Sequence, residues 1–197
     1  MVRLRFAISL NLAAALVLAW HVAASAQPAQ PPPASTQPGP AQPSDKFGEE
    51  LTLTARTIVY LVGAAKWDGA FESLVDSYKS LQQYLEKEGV KVSGPAMTIY
   101  TDTDDAGFKY RAAVPVVEPP KNPPKGDIAV GKSPEGKALK FVHRGSYDAM
   151  DVTYEAITNF LDEKRLEAQN LFVEEYVTDI ITTPADKLVV NVYVPIK

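Results

Sequence analysis

The sequence predicts an α+β fold, a duplicated strand-helix-strand-strand unit forming an antiparallel sheet with two helices on one face and a ligand groove on the other. Three observations carry this. Apolar residues alternate along several short segments, and along two longer ones they recur at three- and four-residue steps. The same order of elements appears twice. Matching residues in the two halves lie 76 to 80 positions apart.

Residues 1–26 have the pattern of a secretory signal: Arg3 and Arg5, an apolar stretch from Phe6 to Trp20, and Ala24-Ser25-Ala26 as a small-residue cleavage site. The apolar stretch is short for a membrane span of about 20 residues, so cleavage after Ala26 and a periplasmic or secreted protein without stable membrane insertion are expected. Residues 27–46 read as a Pro-rich linker with no large apolar residue to bury. The folded part is expected over 47–197, with pseudo-repeats at about 50–117 and 126–197, a length sufficient for one buried core.

In the first repeat, residues 51 to 62 alternate as a strand, and from Gly69 to Glu88 Phe71, Leu74, Val75, Tyr78, Leu81 and Leu85 mark the inner face of a helix. Gly89 then stands where a helix stops. Strands over 96–102 and 108–116 flank an Asp-rich turn, a hairpin rather than a calcium loop because the ligand spacing is wrong. The second repeat offers a strand at 138–143, a helix at 148–164, and strands at 172–178 and 188–196. Tyr84-Leu85 matches Phe160-Leu161, Tyr100 matches Tyr176, and Ala113-Val114-Pro115-Val116 matches Tyr193-Val194-Pro195-Ile196. Asp68 and Asp148 are expected to cap the two helices, each beside an aromatic residue, Trp67 or Tyr147.

Alternation assigns faces. Leu188, Val190, Val192 and Val194 should meet the helices, and so should Val173 and Val177. That expectation turns Glu174, Tyr176, Asn191 and Tyr193, with Thr98, Tyr100 and Arg111 from the first repeat, toward the helix-free face as the lining of an aromatic groove. Whether Glu174 or its neighbour Glu175 points there rests on register alone. A carboxylate among aromatic rings attracts an organic cation.

Composition limits the chemistry. The formal charge of −4 is spread along the chain, and removing Arg3 and Arg5 leaves 18 basic against 24 acidic residues, so nucleic acid is not an expected partner. Without Cys there is no disulfide, thiolate site or cysteine nucleophile, and with only His21 and His143 no polyhistidine metal centre. No metal or cofactor is expected. His143 reads as a strand-end residue rather than a haem ligand, and Ser93 and Ser146 have no base near them in sequence.

The segments Lys140-Phe141-Val142-His143-Arg144-Gly145-Ser146-Tyr147-Asp148, Glu174-Glu175-Tyr176-Val177-Thr178-Asp179 and Val192-Tyr193-Val194-Pro195 resemble the GyrI-like small-molecule-binding family, the effector-binding domain also attached to bacterial transcription regulators. The resemblance is strongest over 126–197. It implies a duplicated α+β fold whose central aromatic pocket takes lipophilic, often cationic, compounds through a buried acid, with Glu174 and Tyr176 in a Glu-x-Tyr pattern. It also places Asn191 where relatives carry an acid in the last strand. The resulting expectation is a non-catalytic, stand-alone exported binder; a hydrolase using Glu174 with a tyrosine, and an interaction domain with a filled groove, are the alternatives.

Overall fold

The computed structural model describes residues 46–197; the expected leader and all but the last residue of the expected linker lie outside them. The elements are β1 (Glu49–Leu53), β2 (Thr57–Lys66), α1 (Ala70–Lys87), β3 (Met97–Thr103), β4 (Gly107–Pro115), β5 (Ile128–Lys132), β6 (Gly136–Gly145), α2 (Met150–Lys164), β7 (Phe172–Tyr176) and β8 (Leu188–Pro195). They form one open eight-stranded antiparallel sheet in the order β1-β6-β8-β7-β3-β4-β2-β5, with both helices on one face. The α+β duplication read from the sequence is the architecture observed.

Two details differ from the sequence expectation. The strand expected over 51–62 is two strands broken at residues 54–56, and β5 was not foreseen. Both differences have one cause. The β1–β2 chain and the β5–β6 chain run antiparallel in an unbroken register, Leu53 opposite Gly136 and Thr57 opposite Lys132, with Arg56 N–H donating to Ser133 Oγ and Ser133 N–H to the Arg56 carbonyl, each at 2.9 Å. This ribbon joins distant parts of the sheet. From Leu53 to Thr57 the chain can reach about 14 Å, yet β1 and β2 stand six strand intervals apart, about 29 Å in a flat sheet. The sheet must therefore curl, and the crossing links lie over its helix-free face, where residues 54–56 and 133–134 meet Met97, Val173, Glu175 and Tyr193.

The helices are shaped by their apolar stripes. Helix α1 buries Leu74, Tyr78, Leu81 and Leu85 against Tyr100, Tyr110, Ala112 and Val114 of the sheet, each apolar side chain contributing about 1.5 to 3 kcal/mol. It begins after Gly69 and stops at Gly89, both with positive φ, and the Val90 N–H closes the last turn on the Leu85 carbonyl at 2.9 Å. Helix α2 packs Met150, Ile157 and Leu161 on Leu139, Phe141, Val192 and Val194. The aspartate caps expected at Asp68 and Asp148 are not made: Gly69 occupies the first position without a side-chain cap, and Ser146 Oγ accepts from the Asp148 N–H at the short turn Tyr147–Ala149 that leads into α2.

The hairpin of β3 and β4 closes as a solvated turn, Asp104 Oδ1 accepting from the N–H groups of Ala106 and Gly107 at 2.8 and 2.9 Å. Gly107 tolerates no side chain, because a Cβ there would collide with the Ala65 carbonyl oxygen of the neighbouring strand. Gly107→Ala should therefore destabilise the domain by about 2 kcal/mol or more, read as an earlier urea midpoint at unchanged slope. A midpoint equal to that of the native chain would show that the two strands can part at no cost.

Candidate functional site

The duplication creates a dyad, and the site sits on it. Thr98 and Glu174, equivalent positions 76 residues apart, lie directly opposite each other where β3 pairs with β7 at the centre of the sheet. Both side chains point toward the helices. The helices mirror them at the same offset: Tyr78 of α1 hydrogen-bonds Thr98 Oγ1 at 2.9 Å, and Tyr154 of α2 donates to Glu174 Oε1 at 2.8 Å. The repeats thus place a hydroxyl on one side of the dyad and a carboxylate on the other.

Glu174 is 1% exposed and enclosed by tyrosine hydroxyls. Tyr176 donates to Oε2 at 3.0 Å, Tyr147 lies at 3.4 Å from the same oxygen, and Tyr100 hydrogen-bonds the carboxylate as well. Tyr100 and Tyr147 share a hydrogen bond of 3.0 Å, and Thr98 links Tyr176 to Tyr78. Tyr78, Tyr100 and Tyr176 are buried, and Tyr147 and Tyr154 are half-buried. Their positions follow from local causes. Tyr100 and Tyr176 alternate onto the helix side of β3 and β7, whereas Tyr147 is held by the turn before α2. That turn is pinned by His143, whose Nε2 donates to the Ser146 carbonyl at 2.9 Å while Nδ1 meets Thr153 Oγ1 at 2.7 Å. Phe71 of α1 stacks on Tyr147 at 5.1 Å between ring centroids, joining the two halves.

Electrostatically the cluster is an acid without a cation. No Lys or Arg pairs with Glu174 among the described residues. Burial raises its pKa above the usual carboxylate range, and the hydroxyl hydrogen bonds from Tyr154, Tyr100, Tyr176 and Tyr147 only partly offset that. Desolvation wins. The tyrosines are pushed well above their usual value by burial first and by the Glu174 charge second, so they remain donors.

The side chains expected together in one groove are divided between the two faces. Glu174, Tyr176, Tyr100 and Thr98 face the helices. Arg111, Asn191 and Tyr193 face away, with Glu175 and Val173, and Arg111 lies over the Tyr60 ring at 5.0 Å. The assignment failed on β3 and β7 because apolar content does not mark the helix side there. The crossing ribbon covers the other face, so Val173, Met97 and Ile99 are buried on it at 1 to 3% exposure. Val177, expected to meet the helices, is 55% exposed beyond the end of β7. Asn191 donates to Tyr193 Oη at 3.4 Å and stands opposite Glu175 rather than beside Glu174. An acid placed at Asn191 would therefore not join the Glu174 cluster.

Tyr78, Tyr147 and Tyr154 are members of the cluster that alternation alone misses, since they come from the helices and a turn. Their signal was the repeat offset: Tyr78 and Tyr154 are 76 apart, as are Tyr100 and Tyr176.

A strand-helix-strand-strand duplication in one antiparallel sheet is a fold with known counterparts. The GyrI-like small molecule binding domain matches residues 49–197. The chain belongs to this family. The GyrI-like fold is also evident in solved structures. The EcmrR C-terminal domain is 16% identical, with a TM-score of 0.66 over 76% of this chain and 96% of that one. EcmrR in its DNA complex matches with the same TM-score at 15% identity, but this chain spans only 57% of that protein's length. A hydrolase from Listeria innocua is 12% identical, with a TM-score of 0.53 over 77% of this chain and 92% of that one. Comparison with curated proteins gave no match. Likeness at these identities establishes the fold; small-molecule binding is what the family contributes.

The dyad gives a direct test of which half carries the electrostatics. Tyr154→Phe removes a donor to the carboxylate, so the Glu174 pKa should rise further; Tyr78, its mate, bonds Thr98 and packs edge-on against Tyr176 without bonding the carboxylate, so Tyr78→Phe should move it much less. Carboxyl-carbon NMR titration reads both. Equal shifts in the two variants would contradict the asymmetry.

Proposed function

We propose that this GyrI-like domain binds a small lipophilic cation at Glu174, between the helices and the centre of the sheet, and that it does so in the periplasm without catalysing a reaction. One observation carries the reading: a fully buried carboxylate, surrounded by tyrosine rings and hydroxyls and lacking a basic partner among the described residues. A cation completes that site. The rings add roughly 0.5 to 2 kcal/mol of cation-π attraction, and apolar ligand surface replaces tyrosine contacts. A rhodamine should therefore quench intrinsic fluorescence saturably, and do so only at higher concentration in Glu174→Gln. No saturation across a chemically diverse set of dyes would support a permanently filled cluster instead.

A hydrolase is the second reading, favoured by the burial that raises the Glu174 pKa above the usual carboxylate range, the direction a proton-transferring acid needs. Turnover of activated small substrates by the native protein, lost in Glu174→Gln, would establish it.

The compartment rests on residues 1–26 alone. Expressed in a Gram-negative host, the protein should appear in the periplasmic fraction with its N-terminus at Gln27. Recovery in the inner membrane with Met1 retained would make the segment an anchor.

A further inference from the structure

The ribbon that crosses the helix-free face encloses a second space. Thr52, Leu53 and Thr54 at the end of β1, with Arg56, Ser133 and Pro134 of the links, form one side of a cavity of about 310 Å³, and β3, β7 and β8 form the other through Met97, Val173, Glu175 and Tyr193. That is the lower end of the volumes that hold small ligands, roughly 300 to 1,000 Å³. It lies directly behind the Glu174 cluster, because Glu174 and Glu175 are consecutive on β7 and point to opposite faces.

The polar groups of this cavity are not arranged for a cation. Both oxygens of Glu175 are taken, Oε2 by Arg56 Nη2 at 2.7 Å and Oε1 by the Tyr193 hydroxyl at 3.0 Å. Tyr193 keeps its proton, its pKa pushed up to about 12 by burial and by the Glu175 charge. The acid is satisfied. Arg56, by contrast, uses one guanidinium N–H on Glu175, its only side-chain partner among the described residues, and its side chain is 38% exposed. Ser133 Oγ accepts from the Arg56 backbone N–H and retains a proton to donate, and the exposed hydroxyls of Thr52 and Thr54 stand at the rim. The remaining capacity is weighted to donors beside an apolar wall of Leu53, Pro134 and the Tyr193 ring, with the buried Met97 and Val173 beneath it.

We infer that this cavity is a second ligand site, selective for small apolar monocarboxylates, with the carboxylate on the open edge of the Arg56 guanidinium and the hydrocarbon against Leu53, Pro134 and the Tyr193 ring, above the buried Met97 and Val173. Guanidinium forks pair well with carboxylates, and Glu175 on the opposite edge fixes the fork in place. The two faces of β7 then select opposite charges: a cation at Glu174, an anion behind Glu175.

Methyl-resolved NMR of the full chain, titrated separately with octanoate and octylammonium, tests the inference. Octanoate alone should shift the Val173 and Met97 methyls saturably. Thr54→Asp should weaken octanoate about fivefold or more and Thr54→Lys should tighten it, since the rim charge changes sign without disturbing the core. Arg56→Gln should weaken it by about tenfold or more. Glu174→Gln should leave octanoate affinity unchanged, which separates this site from the cation site. Equal responses to the two amphiphiles, no saturable shift at Val173 and Met97, indifference to the charge at position 54, or loss in Glu174→Gln would each overturn it.

Discussion

Glu174→Gln should weaken the binding of a lipophilic cation such as a rhodamine by about 1 to 3 kcal/mol, roughly five- to hundredfold, with the fold intact. The substitution keeps the size and planarity of the side chain; its one amide oxygen accepts on the Tyr154 side or the Tyr176 side, and on the other the tyrosine hydroxyl must turn to accept from the amide NH2, so the change falls mainly on charge. The pH dependence adds a second, independent reading. In the empty site burial holds the Glu174 pKa above the usual carboxylate range, and a bound cation favours the ionised form. Affinity should therefore fall as pH drops through the raised pKa, at a higher pH than an exposed glutamate would give. The Gln variant should show no such fall. Glu175→Gln should leave cation binding nearly unaltered, because that carboxylate lies across the sheet with Arg56 and Tyr193. Fluorescence titrations at several pH values check all three; an effect of Glu175→Gln equal to that of Glu174→Gln would show that the ligand sits on the other face.

The elements were legible where one signal governed them. Helix α1 follows from its unbroken stripe and its flanking glycines, and the β3–β4 hairpin from its alternating strands and aspartate turn. Side-chain direction on β3 and β7 was not legible by the same rule. Alternation identifies the buried face only when the other face is wet. Here the ribbon of β1–β2 against β5–β6 covers the second face, so Val173 and Glu174 are both buried and their order along the strand says nothing about the helices. The ribbon itself was hidden because β5, Ile-Ala-Val-Gly-Lys, is short and follows a run of prolines and glycine. What did reach across the fold was the repeat. An offset of 76 pairs Tyr78 with Tyr154, Thr98 with Glu174 and Tyr100 with Tyr176, and a duplicated antiparallel unit must bring such pairs together at its dyad. Applied to the tyrosines, that constraint identifies the cluster without any assignment of faces.

The same carboxylate should also make the empty domain less stable than it could be. A glutamate whose folded pKa is raised binds its proton more tightly in the folded state than in the unfolded one. Its contribution to stability is therefore full below the unfolded value of about 4.3 and is lost as pH rises through the folded value. At neutral pH the folded chain carries an unpaired buried charge or the work of keeping it protonated. Four tyrosine hydroxyls do not fully compensate, since burial still outweighs them. Glu174→Gln removes the charge and keeps the side-chain shape, with tyrosine hydroxyls on one side turning to accept from the new amide NH2, so it should raise the unfolding temperature at pH 7 to 8, by about 2 to 4 °C for each kcal/mol recovered in a domain of this size. Near pH 4 the two proteins should melt together. The difference between their melting curves across pH isolates Glu174 from every other titrating group, and a cationic ligand in excess should shrink or reverse it by stabilising the native protein more than the weaker-binding variant. A Gln variant less stable than the native protein at neutral pH would mean that the carboxylate is held by the tyrosines as a structural anion, and the case for a waiting cation site would fail with it.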